Sequence, residues 1–272
     1  MKKIGLIVLG ICSQLGFAQA NRFIYQVTMK PDSTNRNDIK TELAYLDATP
    51  DKSIFYGEKR LQRDSLLERM RQTGGANFDR SQLQNLRSNI DFTVEKDFKN
   101  GTKTFATRIA RDQYSYDEDR PMEWKILPET AKIGDYKTQK AETKFAGRTW
   151  FAWFTTEVPF QDGPYKFSAL PGLIVKVEDS KGDYSFDLKE TKKITAPATF
   201  DQRGSVVKVK RVVYNQQQER FRKDPTSFSP PPPPGSGNRV GMRVQTNPVQ
   251  RKEFEQRLKE ELEKNNNPIE LK

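Results

Sequence analysis

The sequence contains no histidine, and its one cysteine, Cys12, lies in an apolar N-terminal run. The commonest general base and the commonest metal ligand are therefore missing, and the nucleophile–base pairs of ordinary hydrolases and redox enzymes cannot be assembled. Carboxylates, hydroxyls and lysines remain. Two carboxylates flanking a glycosidic bond could work as acid and base, and Asp117, Asp119, Glu157, Asp162, Glu178 and Asp179 all fall near expected strand ends. Carboxylates in such places ordinarily solvate turns, so no catalytic residue is assigned; no spacing suggests a Ser–Lys pair either. Asp117-Glu118-Asp119 offers the hard oxygen ligands that Ca²⁺ prefers, yet no glycine follows where a calcium loop needs one, and no second cluster accompanies it. No metal site and no cofactor are assigned.

The 272 residues carry 47 Lys and Arg against 36 Asp and Glu, a formal charge of +11. Lys208-Val209-Lys210-Arg211 and nine tyrosines would suit nucleic acid, but the basic residues are interspersed with acids and the N-terminus reads as an export signal. Solvated faces are the default, with no nucleic-acid partner; attraction to an anionic envelope surface is the alternative. The aromatic residues Trp150, Phe151, Trp153, Phe154, Tyr165 and Phe167 admit two readings: core packing, since such rings bury large areas, or the lining of a hollow that takes an apolar ligand.

These side chains must be held by strands. In residues 147–158, Trp150 and Phe154 fall on one face and Phe151 and Trp153 on the other, so period two predicts a central strand buried on both sides. Asp162-Gly163-Pro164 and Pro171-Gly172 are turn chemistry. Leu173, Val175 and Val177 then alternate with a mostly polar set, Asp179-Ser180-Lys181-Gly182 closes a hairpin, and Tyr184, Phe186 and Leu188 face inward on the return. Upstream, the pattern predicts strands over 21–30, 43–46, 53–56, 92–98, 102–109, 113–116 and 122–127, with Asn100-Gly101 a strong hairpin signal. Helices are expected over 58–72, with Leu66, Leu67 and Met70 as its stripe, and from Asp79 through Ile90. Residues 205–214 read as one last strand through Val207, Val209 and Val213.

Gly147-Arg148, Ala152-Trp153-Phe154-Thr155, Val158-Pro159, Gly163-Pro164-Tyr165-Lys166-Phe167 and Ala169-Leu170-Pro171-Gly172-Leu173-Ile174 occur in that order. Together they resemble the GLPGLI family of exported proteins from Bacteroidota, named for the last hexapeptide; Ala169 stands where the family's first glycine belongs. A weaker likeness covers Lys132-Ile133-Gly134-Asp135-Tyr136-Lys137 and the closing Asn267-Pro268-Ile269-Glu270-Leu271. Many members carry a cysteine in the upstream segment, where this chain has Thr138, so no thiol role carries over. The resemblance implies fold and export and transfers no catalytic residue.

Residues 1–20 read as a secretory signal: Lys2 and Lys3, an apolar run, then Ala18-Gln19-Ala20 as the cleavage site. Cleavage would remove Cys12, leaving no thiol and no span long enough to cross a membrane. Residues 21–221 form the expected β-rich domain, 222–247 a linker with five consecutive prolines and a Gly-Ser-Gly, 248–264 a helix opened by Asn247-Pro248, and 265–272 a tail. The fold class is α+β and β-dominated: a curved antiparallel sheet or half-barrel of eight to ten strands with one or two helices on one face. A periplasmic or surface-exposed, non-catalytic module binding an apolar or peptide ligand or a partner protein is the expectation. The alternatives are a carboxylate-dependent hydrolase of envelope glycan and a scaffold subunit of a surface complex.

Overall fold

The structure, a computed structural model, describes residues 20–74, 80–110, 112–200, 206–228 and 248–271. The signal segment, most of the proline-rich linker, and Asp79 and Asn247, read above as the starts of helices, fall outside them. The described strands are β1 (Ala20–Met29), β2 (Lys40–Ala48), β3 (Lys52–Gly57), β4 (Phe92–Asp97), β5 (Thr102–Ile109), β6 (Asp112–Asp117), β7 (Lys125–Ile133), β8 (Tyr136–Phe145), β9 (Arg148–Thr155), β10 (Leu173–Asp179), β11 (Tyr184–Ile194) and β12 (Val206–Lys208). They make one sheet in the order β12-β6-β5-β4-β3-β2-β1-β11-β10-β9-β8-β7. Two antiparallel meanders, β1 to β6 and β7 to β11, are thus joined where β1 pairs with β11, and β12 adds a parallel edge beside β6.

This order forces curvature. β6 and β7 follow one another in the chain yet lie ten strand spacings apart in the sheet, which would be nearly 50 Å on a flat surface at ~4.8 Å each. The link from Asp117 to Lys125 reaches about 28 Å at most. The sheet therefore bends into a half-barrel, and residues 118–124 run across its mouth.

The inner face collects Phe23, Tyr25, Val27, Phe55, Val94, Trp150, Phe154 and Phe186. Residues 156–172, the β9–β10 connection, turn into the hollow. There Phe167 lies 4.8 Å from Trp150 and 6.2 Å from Phe186, ring to ring, and Tyr165 5.4 Å from Phe92. The expected burial of β9 on both faces holds on one: Trp150 and Phe154 are buried, while Phe151 and Trp153 are half-buried on the outer face beneath the Lys140 ammonium.

Helix α1 (Glu58–Gln72) packs outside on β2 and β3; its apolar stripe is only half-buried, and its one buried side chain is Arg60. Helix α2 (Arg80–Asn85) is short, and Ile90, expected on its stripe, lies beyond its end in the core. The expected strand over 205–214 is corrected: β12 stops at Lys208, and helix α3 (Arg211–Lys223) begins at Arg211 and lies on the inner side against β5 and β6. Tyr214 anchors it, 5.8 Å from Phe105 and 5.0 Å from Tyr116. The spacing of Tyr214 and Phe221, seven apart, is the helical signal that the β-branched valines obscure. A 3-10 turn (Pro225–Phe228) and helix α4 (Pro248–Lys264) follow.

Candidate functional site

Residues 265–271, beyond α4, return to the domain as an extended strap held mainly by Arg148. Its guanidinium donates to the carbonyl oxygens of Ile269 (3.0 Å) and Pro268 (2.7 Å) and to Asn267 Oδ1 (2.6 Å), while also binding the carboxylates of Asp179 (2.9 Å) and Asp183 (3.2 Å). Leu271 N donates to Ala146 O, and Tyr184 Oη to Asn267 O. The motif Gly147-Arg148 and the closing Asn-Pro-Ile-Glu-Leu, far apart in sequence, form one structural unit.

The strap carries Glu270 to Lys166. Lys166 Nζ donates to Glu270 Oε1 (2.5 Å), Glu118 Oε2 (2.6 Å) and Tyr116 Oη (2.8 Å). The rings of Phe105, Tyr116, Tyr165 and Phe145 surround it at 4.9 to 6.0 Å. Arg120 joins both carboxylates from the other side, at 2.7 Å to Glu118 and 2.8 Å to Glu270, and Tyr165 Oη donates to Glu270. Burial works to raise the Glu118 carboxyl, but the hydrogen bond from Arg120 and the Lys166 charge hold it down at about 2. Glu270 is likewise lowered: burial opposes, and Lys166 and Arg120 outweigh it.

Above this network the inner face keeps an open cleft between the sheet, α3 and the strap. A cavity of about 530 Å³ is floored by Tyr116 and Tyr165 and edged by Arg120 and Glu270. A second, of about 270 Å³, runs on past Phe92 toward Val27 and Phe186. Both share Phe105, Tyr214, Gln218, Arg222, Pro268 and Ile269, so they form one elongated groove with aromatic walls and a polar lip. Such dimensions suit a ligand of small-molecule size.

The residues singled out in the sequence are distributed as follows. Trp150, Phe154 and Phe167 pack in the core; Tyr165 does too, while its edge reaches the groove. Phe154 also borders a separate cavity of about 510 Å³ beside β7 and β8. Ala169 and Gly172 shape the loop before β10: Ala169 sits at φ +72°, and a Cβ on Gly172 would lie 1.9 Å from Thr155 O. Leu170, Leu173 and Ile174 are core residues, and Pro171 is exposed.

The six carboxylates considered for catalysis do not share a cleft. Asp162 is buried against Lys96 (2.5 Å) and Asp179 against Arg148; Asp117 pairs with Lys208, Asp119 with Arg211 and Glu178 with Lys176, and Glu157 accepts from Lys137 N. The acidic triplet 117–119 is taken up by cations, Lys208 on Asp117 and Arg211 shared between Glu118 and Asp119, and among the described residues no group of three acids gathers to hold a metal ion. The carboxylates that do converge, Glu118 and Glu270, were not paired from sequence because nothing local links them. Acid–base hydrolysis needs one carboxyl that keeps its proton near neutrality, and both of these are held ionised.

A family model described as "Protein of unknown function (Porph_ging)" matches residues 144–176. That stretch, β9 with the inward loop and the start of β10, is thus similar to an uncharacterised family of the Bacteroidota type. Two crystal structures of PNGF-II, in the P21 and C2 space groups, share the fold: each superposes at a TM-score of 0.51 with 19% identity, covering 75% of this chain and 34% of that one. The chain therefore spans about a third of the length of PNGF-II, and at this identity the likeness is one of fold. No curated protein matches significantly. Among the described residues no helix is long and apolar enough to cross a membrane.

Proposed function

We propose that this is an exported binding module of the bacterial envelope, of the GLPGLI family, which holds an apolar or peptide ligand in the groove beneath α3. The carrying observation is the continuity of the two cavities through Phe105, Tyr214 and Ile269. An apolar group filling the groove would gain dispersion contacts with its aromatic walls, and Gln218 and Arg222 on the lip offer donors to a ligand's polar end. The aromatic cage below is filled by the chain's own Lys166 and therefore serves to fix the floor. Export rests on the signal-like N-terminus, and the family name on the ordered motifs from Gly147 to Ile174.

Native mass spectrometry of the mature protein purified from its own envelope tests the proposal, with Gln218→Trp as the blocking variant. A retained mass lost in Gln218→Trp is expected; the wild-type protein emerging bare, or a retained mass that Gln218→Trp keeps, would overturn it.

A further inference from the structure

A second cavity system lies on the opposite, outer face of the sheet. There Thr93 of β4, Thr104 of β5, and Gln113 and Ser115 of β6 line a pocket of about 280 Å³, roofed by Phe200 and closed by Arg60 from the first turn of α1. Thr93, Gln113 and Ser115 are 5–7% exposed, and they line the pocket.

Arg60 sharpens the point. The residue is 7% exposed, and its guanidinium stacks on the Phe200 ring at 5.1 Å. One nitrogen donates to Asp91 O at 3.1 Å, whereas Nε lacks any partner. Among the described residues no carboxylate lies within ion-pair distance of it: the Asp91 carboxylate is taken by Arg63, and Asp64 acts only from farther away. Arginine does not shed its charge in a protein, so the cation is held largely out of water with, among the described residues, no carboxylate paired to it, the Asp91 charge favouring it from beyond ion-pair distance. Burying a charge with an unpartnered N–H is unfavourable, and an oxyanion in the pocket would offset that cost. Glu95 and Lys208, on the open side, are both exposed, and Lys208 pairs with Asp117, so neither neutralises the interior.

The geometry points to an oxyanion site at Arg60, in which a carboxylate, sulfate or phosphate group accepts from the guanidinium and from the hydroxyl and amide groups of Thr93, Ser115 and Gln113. Arg60 supplies the charge and the paired donors that match an oxyanion's edge, Phe200 fixes the plane of the guanidinium, and the strands set the hydroxyls. The site is on the other side of the sheet from the groove, and neither reading depends on the other.

The test is titration of sulfate, phosphate and acetate into the full-length mature protein at ionic strength held constant with chloride, followed by calorimetry and thermal unfolding. One equivalent of at least one oxyanion should bind and raise the unfolding midpoint. Binding of the tetrahedral anions alone assigns the site to sulfate or phosphate groups, and of acetate to carboxylates. Arg60→Met should weaken binding at least tenfold while unfolding, without anion, no earlier than the wild type. Thr93→Val and Ser115→Ala should each weaken it several-fold, and they decide the matter should Arg60→Met not fold. No effect beyond that of chloride, or unchanged affinity in these variants, would overturn the assignment.

Discussion

Gly147, in the turn before β9, meets Leu271 of the strap so closely that a Cβ built on it would lie 2.1 Å from the Leu271 carbonyl oxygen. Gly147 also stands at φ +77°, where any other residue costs ~1–2 kcal/mol. Gly147→Ala should therefore push the strap off β9 and lower stability by about 3 kcal/mol or more, once the lost strap contacts are added. Urea unfolding would show an earlier midpoint, and limited proteolysis would show cleavage within residues 265–271.

Arg148 and Asp179 hold the same strap from within. Both side chains are almost wholly buried, and the guanidinium also neutralises Asp183. Arg148→Met leaves the buried Asp179 without a cation, Asp183 with Arg36 alone, and three strap acceptors unpaired, at a cost of ~3–5 kcal/mol. Adding Asp179→Asn and Asp183→Asn should recover part of that loss, measured as a non-additive cycle in chemical denaturation.

Ala169 occupies a left-handed position, φ +72°, that suits glycine. Ala169→Gly should stabilise the protein by ~0.5–1 kcal/mol: relief of the Cβ strain less the greater freedom of glycine in the unfolded chain. A lower melting temperature in this variant would show that the loop does not hold the conformation described.

Acid should act through Glu118. Its folded pKa of about 2 lies below the ordinary carboxylate value of 4.5, so the unfolded state binds more protons between the two. Its contribution, on the order of 3 kcal/mol, is present above pH ~4.5 and lost as pH falls toward 2. Glu118→Gln should reduce stability at pH 7 and flatten the slope of stability against pH between 5 and 2.

Base should act through Lys103 in the opposite sense. Burial, with the Lys96 charge adding to it, lowers its ammonium from 10.5 to about 8. The unfolded chain again binds more protons, here between pH 8 and 10.5, so this group adds stability as pH rises through that window. Lys103→Met should remove that rise and melt higher than the wild type below pH 8.

The alternation of apolar and polar side chains was sufficient for most of the strands, for the Asn100-Gly101 hairpin, for the bounds of α1 and for the inner and outer faces of β9. Those features depend on side-chain order over a few residues. Where two local signals competed, the pattern misled: Val207, Val209 and Val213 favour a strand, yet Tyr214 finds Phe105 and Tyr116 only if α3 is a helix. The oxyanion pocket gave no signal in advance, because Arg60 reads as an ordinary polar residue on an amphipathic helix.

The chain by its residue order determined a β-rich module whose motifs cluster between Gly147 and Ile174, without histidine to support common catalysis. Only the tertiary structure decided that β6 and β7 lie on opposite flanks of the sheet, that residues 156–172 fill the middle of the hollow, and that Glu270 reaches Lys166 beside Glu118. Periodicity is written in neighbours along the chain, whereas curvature, ion pairing and the shape of a groove arise from residues that meet only after the sheet has bent. That is why the aromatic residues named from sequence include mostly core, and why the groove's walls come from α3 and the strap.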